Sequence, residues 1–134
     1  MLSICKKFEF CYGHHLPHHE GKCFLHHGHN AILEIEVSGS DQLNETGSEA
    51  GMIIDFSRLK EIVKLEIIDK FDHQNLNDFF KNPTAETIVM WIKDQLMLKV
   101  DTFSDCGCYQ TCLKRVRFYE TPDSYAEWKK EIFS

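Results

Sequence analysis

Alternating apolar and polar positions predict two β-strands in the first third of the chain. In residues 4–14 and 27–37 the apolar side chains share one parity and polar side chains fill the other, as in strands with one buried face. The predicted inward-facing residues are Ile4, Phe8, Phe10, Tyr12, Ala31, Leu33, Ile35 and Val37. Residues 38–51, which are rich in Ser, Gly, Asp and Glu, are predicted to form a solvated loop.

The middle of the chain shows helical rather than alternating spacing. Leu59, Ile62, Val63 and Ile67 form one apolar stripe and predict a helix from about residue 57 to 70. A second helix is predicted to start near the sequence NPTAET, capped either by Asn82 with Pro83 or by Thr84. Its predicted buried side comprises Ile88, Trp91, Ile92 and Leu96.

Two further strands are predicted near the end of the sequence. Residues 113–120 alternate clearly, and residues 125–133 alternate more weakly. The resulting order ββααββ is typical of an α+β fold with an antiparallel sheet and two helices on one face. No linker or internal repeat interrupts residues 1–134, so the sequence predicts a single domain.

Charge and composition exclude several functional classes. The formal net charge of −6 argues against binding to nucleic acid or to an anionic membrane surface. No run approaches the ~20 apolar residues of a membrane-spanning helix. The start MLSICKKFEF lacks the apolar run of a signal peptide. We therefore expect a cytoplasmic protein whose six cysteines are reduced thiols rather than three disulfides.

Seven of the eight histidines lie between His14 and His29. His27 and His29 share the inward parity of the second strand, and His14 shares the inward parity of the first. If the two strands are neighbours, three imidazoles meet at the end of an apolar face. Three His ligands with one open position are typical of a catalytic zinc site.

A His-rich surface loop without a metal is the alternative interpretation of this segment. The inward parity of His14, His27 and His29 favours the zinc site. His18, His19 and His26 are expected to face solvent or line a substrate pocket rather than bind the metal.

Four other residues are candidates for acid–base and binding chemistry. Cys23, four residues before His27, is either a proton acceptor or a small buried side chain. Asp72 and His73 form either a proton-relay pair or an ordinary helix terminus. Glu120 shares parity with apolar positions of its strand. Its carboxylate either binds a paired N–H edge of a heterocycle or lies where the strand reaches water.

Six stretches of the sequence together resemble the 6-pyruvoyl-tetrahydropterin synthase/QueD family. They occur in the family's order over nearly the whole chain: FCYGHHLPH (10–18), CFLHHGHN (23–30), GMIIDF (51–56), FDHQNLN (71–77), NPTAE (82–86) and FYET (118–121). The resemblance implies the tunnelling fold, or T-fold, in which ββααββ subunits usually assemble as a hexamer, a dimer of trimers.

The same resemblance implies a role for each candidate residue. His14, His27 and His29 match the zinc ligands, and Cys23 matches the proton acceptor. Asp72 and His73 match the relay pair, which the family supplies from a neighbouring subunit. Glu120 matches the pterin anchor, and Thr84 and Glu86 match residues that help to hold the pterin ring.

The spacing C-x3-H-G-H at Cys23–His29 resembles the QueD branch rather than the animal pyruvoyl enzymes. That branch implies a lyase that converts 7,8-dihydroneopterin triphosphate to 6-carboxy-5,6,7,8-tetrahydropterin, acetaldehyde and triphosphate, on the path to queuosine. The alternatives are a pyruvoyl-forming or related pterin side-chain lyase and a non-catalytic pterin- or metal-binding module.

The sequence departs from the family pattern at several positions. His15 stands where an Arg often follows the zinc His, which leaves the triphosphate-binding residues open; His15, His18, His19 and Lys22 are candidates. Cys11 and Tyr12 replace small or acidic residues. Three thiols, Cys106, Cys108 and Cys112, lack a fourth ligand and are interpreted as free thiols in a loop.

Overall fold

Three long antiparallel strands form the centre of the computed structural model, which describes residues 1–105, 107 and 109–131. They are β1 (Leu2–His14), β2 (His27–Gly39) and β5 (Tyr109–Thr121). The shorter strands are β3 (Gln74–Asn75), β4 (Thr102–Phe103) and β6 (Ser124–Lys129). Within the described residues the sheet order is β3-β1-β2-β5-β4, and β6 also pairs with β5.

The four predicted strands are all present, and the bounds of each differ from the prediction. β1 begins at Leu2 rather than at residue 4. β2 continues to Gly39, β5 begins at Tyr109, and β6 ends at Lys129 rather than at 133. The two-residue strands β3 and β4 were not predicted, because two residues are too short to show an alternating pattern. Since β3 runs parallel to β1, the sheet is mixed rather than wholly antiparallel.

The first predicted helix is a helical run with a π-helical turn in its middle. It comprises α1 (Phe56–Val63), the π turn Lys64–Ile68 and α2 (Asp69–Phe71). Its fully buried residues recur at intervals of four: Leu59, Val63, Ile67 and Phe71. In a helix of 3.6 residues per turn, side chains spaced four apart move progressively around the helix axis. The π turn has more residues per turn and so reduces this rotation. The run therefore keeps one apolar face against the sheet.

The second predicted helix is α3 (Ala85–Val100). The Thr84 side chain accepts a hydrogen bond from the Thr87 N–H at 3.1 Å. Of the two predicted caps, Thr84 is therefore the one observed. No helix of the described residues is both long and apolar enough to cross a bilayer.

The two faces of the sheet differ in chemistry. The face under the helices carries the apolar core, including Leu33, Ile35, Val116 and Phe118, all fully buried. The opposite face carries charge: Arg115 Nε donates to Glu36 Oε1 at 2.9 Å. This separation follows from strand parity and confirms that both helices lie on one face.

A β-bulge in β5 interrupts its parity. Glu36 pairs with Arg115, whereas the next residue of β2, Val37, pairs with Leu113. Lys114 is therefore the extra residue, and Leu113 and Val116 both face the core although they are three positions apart. Glu120 keeps the parity of Val116 and Phe118 because it lies beyond the bulge.

Gly39 provides a test of packing at the far end of β2. A Cβ atom at Gly39 would lie 2.7 Å from Ile53 Cγ2 and 3.2 Å from the Gln110 carbonyl oxygen. We expect Gly39→Ala to lower the free energy of unfolding by about 1–3 kcal/mol through overpacking. Urea denaturation measures the change.

Gly28→Ala is the matched control in the same strand, because its Cβ would meet nothing closer than the Tyr12 carbonyl oxygen at 3.6 Å. Equal stabilities of the two variants would contradict the packing described at Gly39.

Candidate metal and substrate site

The register of β1 and β2 brings three imidazoles together at one end of the sheet. His14 pairs with His27, and Tyr12 pairs with His29. The ring centroids of His14, His27 and His29 lie 4.6–5.0 Å apart, and one ligand atom from each ring lies within 4.8 Å of the others. This group, the His triad, is the cluster that the strand parity predicts.

Backbone carbonyl groups orient two rings of the His triad. His14 Nδ1 lies 2.8 Å from the Pro83 carbonyl oxygen, and His27 Nδ1 lies 2.7 Å from the Leu25 carbonyl oxygen. A carbonyl oxygen only accepts, so each Nδ1 carries the hydrogen and donates it. In the neutral rings each Nε2 then keeps a free lone pair, as in metal-binding histidines.

Glu120 adds a carboxylate to the same cluster. Its Oε1 lies 3.3 Å from His14 Nε2 and 3.4 Å from His29 Nε2, and those two nitrogens lie 3.1 Å apart. Contact with His14 is the main reason that the pKa of Glu120 is lowered. Desolvation lowers the pKa of His29 and so favours its neutral form.

With its hydrogen on Nδ1, a neutral His14 presents the Nε2 lone pair to His29 Nε2 and to the Glu120 carboxylate. Either a hydrogen on Nε2 of His29 or a metal cation can satisfy these lone pairs. The His triad, of which His14 is buried and the other two are partly buried, fits a dication that prefers nitrogen ligands, such as Zn²⁺.

Tyr12 is a site residue whose role the sequence did not reveal. It was predicted as an inward-facing residue, and it is 3% exposed. Its hydroxyl donates to Glu120 Oε1 at 3.3 Å, and its ring contacts His14 edge-on at 5.1 Å between centroids. Tyr12 thus connects the carboxylate to the His triad.

A second irregularity of β5 determines the position of Glu120. Against β6, Tyr119 pairs with Tyr125 and Thr121 pairs with Ser124, so Glu120 has no pairing partner there. Bulges of this kind redirect a side chain and are common beside active sites. Glu120 is partly buried rather than solvated, which disfavours the alternative of a strand end in water.

Cys23 lies in the loop that joins the two histidine-bearing strand ends. The loop contains one short 3-10 turn, Lys22–Phe24, and the Cys23 carbonyl accepts a hydrogen bond from the Leu16 N–H at 2.7 Å. The thiol is free and half-buried, so Cys23 is not a core residue. It is not a member of the His triad.

Asp72 and His73 hydrogen-bond each other although they are adjacent in sequence. Asp72 Oδ1 lies 3.0 Å from His73 Nδ1. His73 has a φ of 61°, which is uncommon for a residue other than glycine. A hydrogen bond from the Cys11 N–H is the main cause of the lowered pKa of Asp72. Within one chain the pair groups with Cys11 and not with the His triad.

Thr84 and Glu86 lie at the start of α3. Thr84 follows Pro83, whose carbonyl accepts from His14, so the cap of the helix adjoins the His triad. Glu86 is exposed and lines a cavity of about 500 Å³ with Tyr125 and Glu127. The structure thus places Thr84 beside the His triad and Glu86 along the gap between α3 and β6.

The remaining histidines and cysteines lie outside the His triad. His18, His19 and His26 are exposed, and Asn77 hydrogen-bonds the backbone of His15 at 2.9 and 3.0 Å. Cys112 is a buried free thiol. The predictions for Cys106 and Cys108 fall outside the described residues.

Tyr12→Phe tests the hydrogen bond to Glu120 in metal-free protein. The variant removes a donor that helps to keep the pKa of Glu120 low. We expect that pKa to rise, and the free energy of unfolding to fall by about 0.5–1.5 kcal/mol. Carboxyl NMR titration and urea denaturation measure the two quantities.

Tyr125→Phe, at a 52% exposed position, is the control and should change neither quantity. An unchanged Glu120 pKa in Tyr12→Phe would mean that the hydroxyl does not bind this carboxylate in solution.

Known proteins share both the sequence and the fold of this chain. Relatives named 6-carboxy-5,6,7,8-tetrahydropterin synthase occur in a Synechocystis strain and in Haemophilus influenzae. The first is 39% identical over 122 residues, covering 89% of this chain and 94% of the relative. The second is 36% identical over 152 aligned positions, covering 97% and 100%.

A solved structure of Caenorhabditis elegans 6-pyruvoyl tetrahydropterin synthase superposes with a TM-score of 0.73. The identity is 24%, and the match covers 97% of this chain and 96% of that chain, which confirms the predicted T-fold. The sequence profile of the family described as 6-pyruvoyl tetrahydropterin synthase matches residues 3–131. The chain therefore belongs to the 6-pyruvoyl tetrahydropterin synthase family.

Proposed function

We propose that the chain is a zinc-dependent carbon–carbon lyase that converts 7,8-dihydroneopterin triphosphate to 6-carboxy-5,6,7,8-tetrahydropterin, acetaldehyde and triphosphate. The His triad beside the Glu120 carboxylate is the observation that carries this proposal. The name shared by the two bacterial relatives supports the choice of product. The reaction places the enzyme on the path to queuosine.

The Nε2 atoms of His14, His27 and His29 hold the metal in this proposal. When bound, zinc supplies a Lewis acid that lowers the pKa of C–H and O–H groups on the substrate side chain. The carbonyl groups of Pro83 and Leu25 keep two of the rings turned for binding.

Glu120 anchors the pterin ring by accepting hydrogen bonds from its N–H groups. Tyr12 already uses Oε1, and burial of the carboxylate against the imidazoles makes an additional cationic or N–H partner favourable. Thr84 and Glu86 contribute to ring binding at the start of α3. Fixing the ring places the substrate side chain at the His triad, which supplies the orientation needed for reaction.

Cys23 accepts a proton from the substrate side chain, and His73, oriented by Asp72, moves a second proton. Because Asp72 and His73 group with Cys11 rather than with the His triad of the same chain, we assign them to the site of a neighbouring subunit. This arrangement requires a homo-oligomer, which we take to be a hexamer formed as a dimer of trimers.

The open edges of the sheet support such assembly. The edge of β1 that faces away from β2 pairs with β3 only at Tyr12 and Gly13, and β6 pairs only with β5 among the described residues. Exposed strand edges offer backbone groups to another chain. We further propose a single-domain protein in the cytoplasm, consistent with free thiols at Cys5, Cys11, Cys23 and Cys112.

Product identification by mass spectrometry tests the proposed function. Incubation of zinc-loaded protein with 7,8-dihydroneopterin triphosphate is expected to yield the carboxy-pterin and acetaldehyde. Triphosphate release without acetaldehyde would instead support a pyruvoyl-forming lyase. No turnover, together with unaltered ligand binding in Cys23→Ala, would support a non-catalytic module.

His27→Ala tests the ligand assignment. Removing one of three protein ligands should reduce bound zinc from about one per chain to nearly none, as expected of a three-ligand site. Metal analysis after dialysis measures the content. His26→Ala, the exposed neighbour, should retain its zinc. A full zinc complement in His27→Ala would defeat the assignment.

Glu120→Gln separates pterin binding from metal binding. A hydrogen bond to a charged group is worth about 1.5–3 kcal/mol, so pterin affinity should fall by roughly 10- to 100-fold while zinc content stays the same. Fluorescence titration and metal analysis measure the two quantities. Glu45→Gln, at an exposed position of the loop between β2 and α1, is the control and should change neither quantity. Parallel losses of pterin and zinc would count against the anchor role.

A further inference from the structure

A second group of metal-binding side chains lies on the opposite side of β1 from the His triad. Cys11, Asp72 and His73 form this group, the Cys11 cluster. One thiol sulfur, one carboxylate oxygen and one imidazole nitrogen lie within 4.8 Å of one another. Cys11 immediately precedes the buried Tyr12, so strand alternation directs its side chain away from the core.

The backbone of β1 holds the cluster in place. The Cys11 N–H donates to Asp72 Oδ1 at 3.0 Å, and the His73 N–H donates to the Cys11 carbonyl oxygen at 2.6 Å. Directly afterwards the chain enters β3, where Gln74 pairs with Tyr12. These contacts fix the left-handed backbone of His73. The positions from which the three side chains project are therefore set before a metal arrives.

The donor types match the preferences of zinc and related metals. Thiolate, imidazole and carboxylate are the three ligand types of protein zinc sites. Asn30, the cross-strand partner of Cys11, adds an amide oxygen that accepts from the Cys11 thiol at 3.0 Å. Within the single chain the His73 side chain is 78% exposed, and its Nδ1 lies 3.0 Å from the carboxylate of Asp72, the second donor of the cluster.

We propose that the Cys11 cluster is a second metal site, which binds Zn²⁺ or a chemically similar divalent transition metal. Binding forms a metal–sulfur bond and releases the Cys11 thiol proton to solvent. The metal occupies the His73 imidazole and so prevents this residue from transferring protons. Inhibition by excess zinc rests on the proposed lyase function, whereas the metal site itself does not.

The two sites differ in spectroscopic signature because only one contains sulfur. Co²⁺ bound by the His triad gives visible ligand-field bands. Co²⁺ bound through the Cys11 thiolate adds a near-ultraviolet charge-transfer band. The presence of that band therefore reports on thiolate binding without any measurement of activity.

Titration of the metal-free protein with Co²⁺ tests the proposal. We expect two bound Co²⁺ per chain by equilibrium dialysis, together with the charge-transfer band. Cys11→Ser should bind one and lose the band. Cys5→Ser is the matched control, because Cys5 is also an exposed thiol of β1 with the same parity. A wild-type protein without the band, or a band that persists in Cys11→Ser, would overturn the proposal.

Zinc inhibition supplies the functional measurement. Lyase activity of the wild type should fall as zinc exceeds one equivalent, and Cys11→Ser should need at least about tenfold more zinc for the same loss. Equal sensitivity of the two proteins would overturn the inhibitory role. If the protein shows no lyase activity, the Co²⁺ spectra still decide whether the second site exists.

Discussion

The antiparallel register of β1 and β2 is the constraint on which the candidate site depends. It pairs Tyr12 with His29 and His14 with His27. A shift by one residue would move every side chain of one strand to the other face, separating the imidazoles and exposing the apolar core. The buried residues between the helices and the sheet therefore hold the His triad in place as well as stabilising the fold.

Electrostatics at the end of this sheet follows from that register. The Nε2 atoms of His14 and His29 and the Oε1 atom of Glu120 lie 3.1–3.4 Å apart, and carbonyl groups accept the Nδ1 hydrogens of His14 and His27. Hydrogen-bond donors or a metal cation must satisfy the lone pairs that meet here. The end of the sheet therefore offers a cation nitrogen and carboxylate ligands at close range.

Much of the fold and the candidate metal site could be predicted from sequence because both depend on strand parity. His14, His27 and His29 continue the apolar faces of their strands, so alternation alone placed them together. Thr84 could be proposed as a cap because capping is a local property.

Other features depend on contacts that no local pattern records. The bulge at Lys114 arises from pairing between distant strands. The hydrogen bond of Tyr12 to Glu120 spans 108 positions of sequence. The group formed by Cys11, Asp72 and His73 requires β3, whose two residues are too short to predict. These features became visible only once the tertiary structure was known.

A crystal structure of protein loaded with one equivalent of zinc, phased with anomalous data at the zinc edge, tests the central claim most directly. The account predicts one strong anomalous peak about 2.0–2.1 Å from the Nε2 atoms of His14, His27 and His29, with a non-protein fourth ligand. A peak elsewhere, or coordination closed by Cys23 or Glu120, would contradict it.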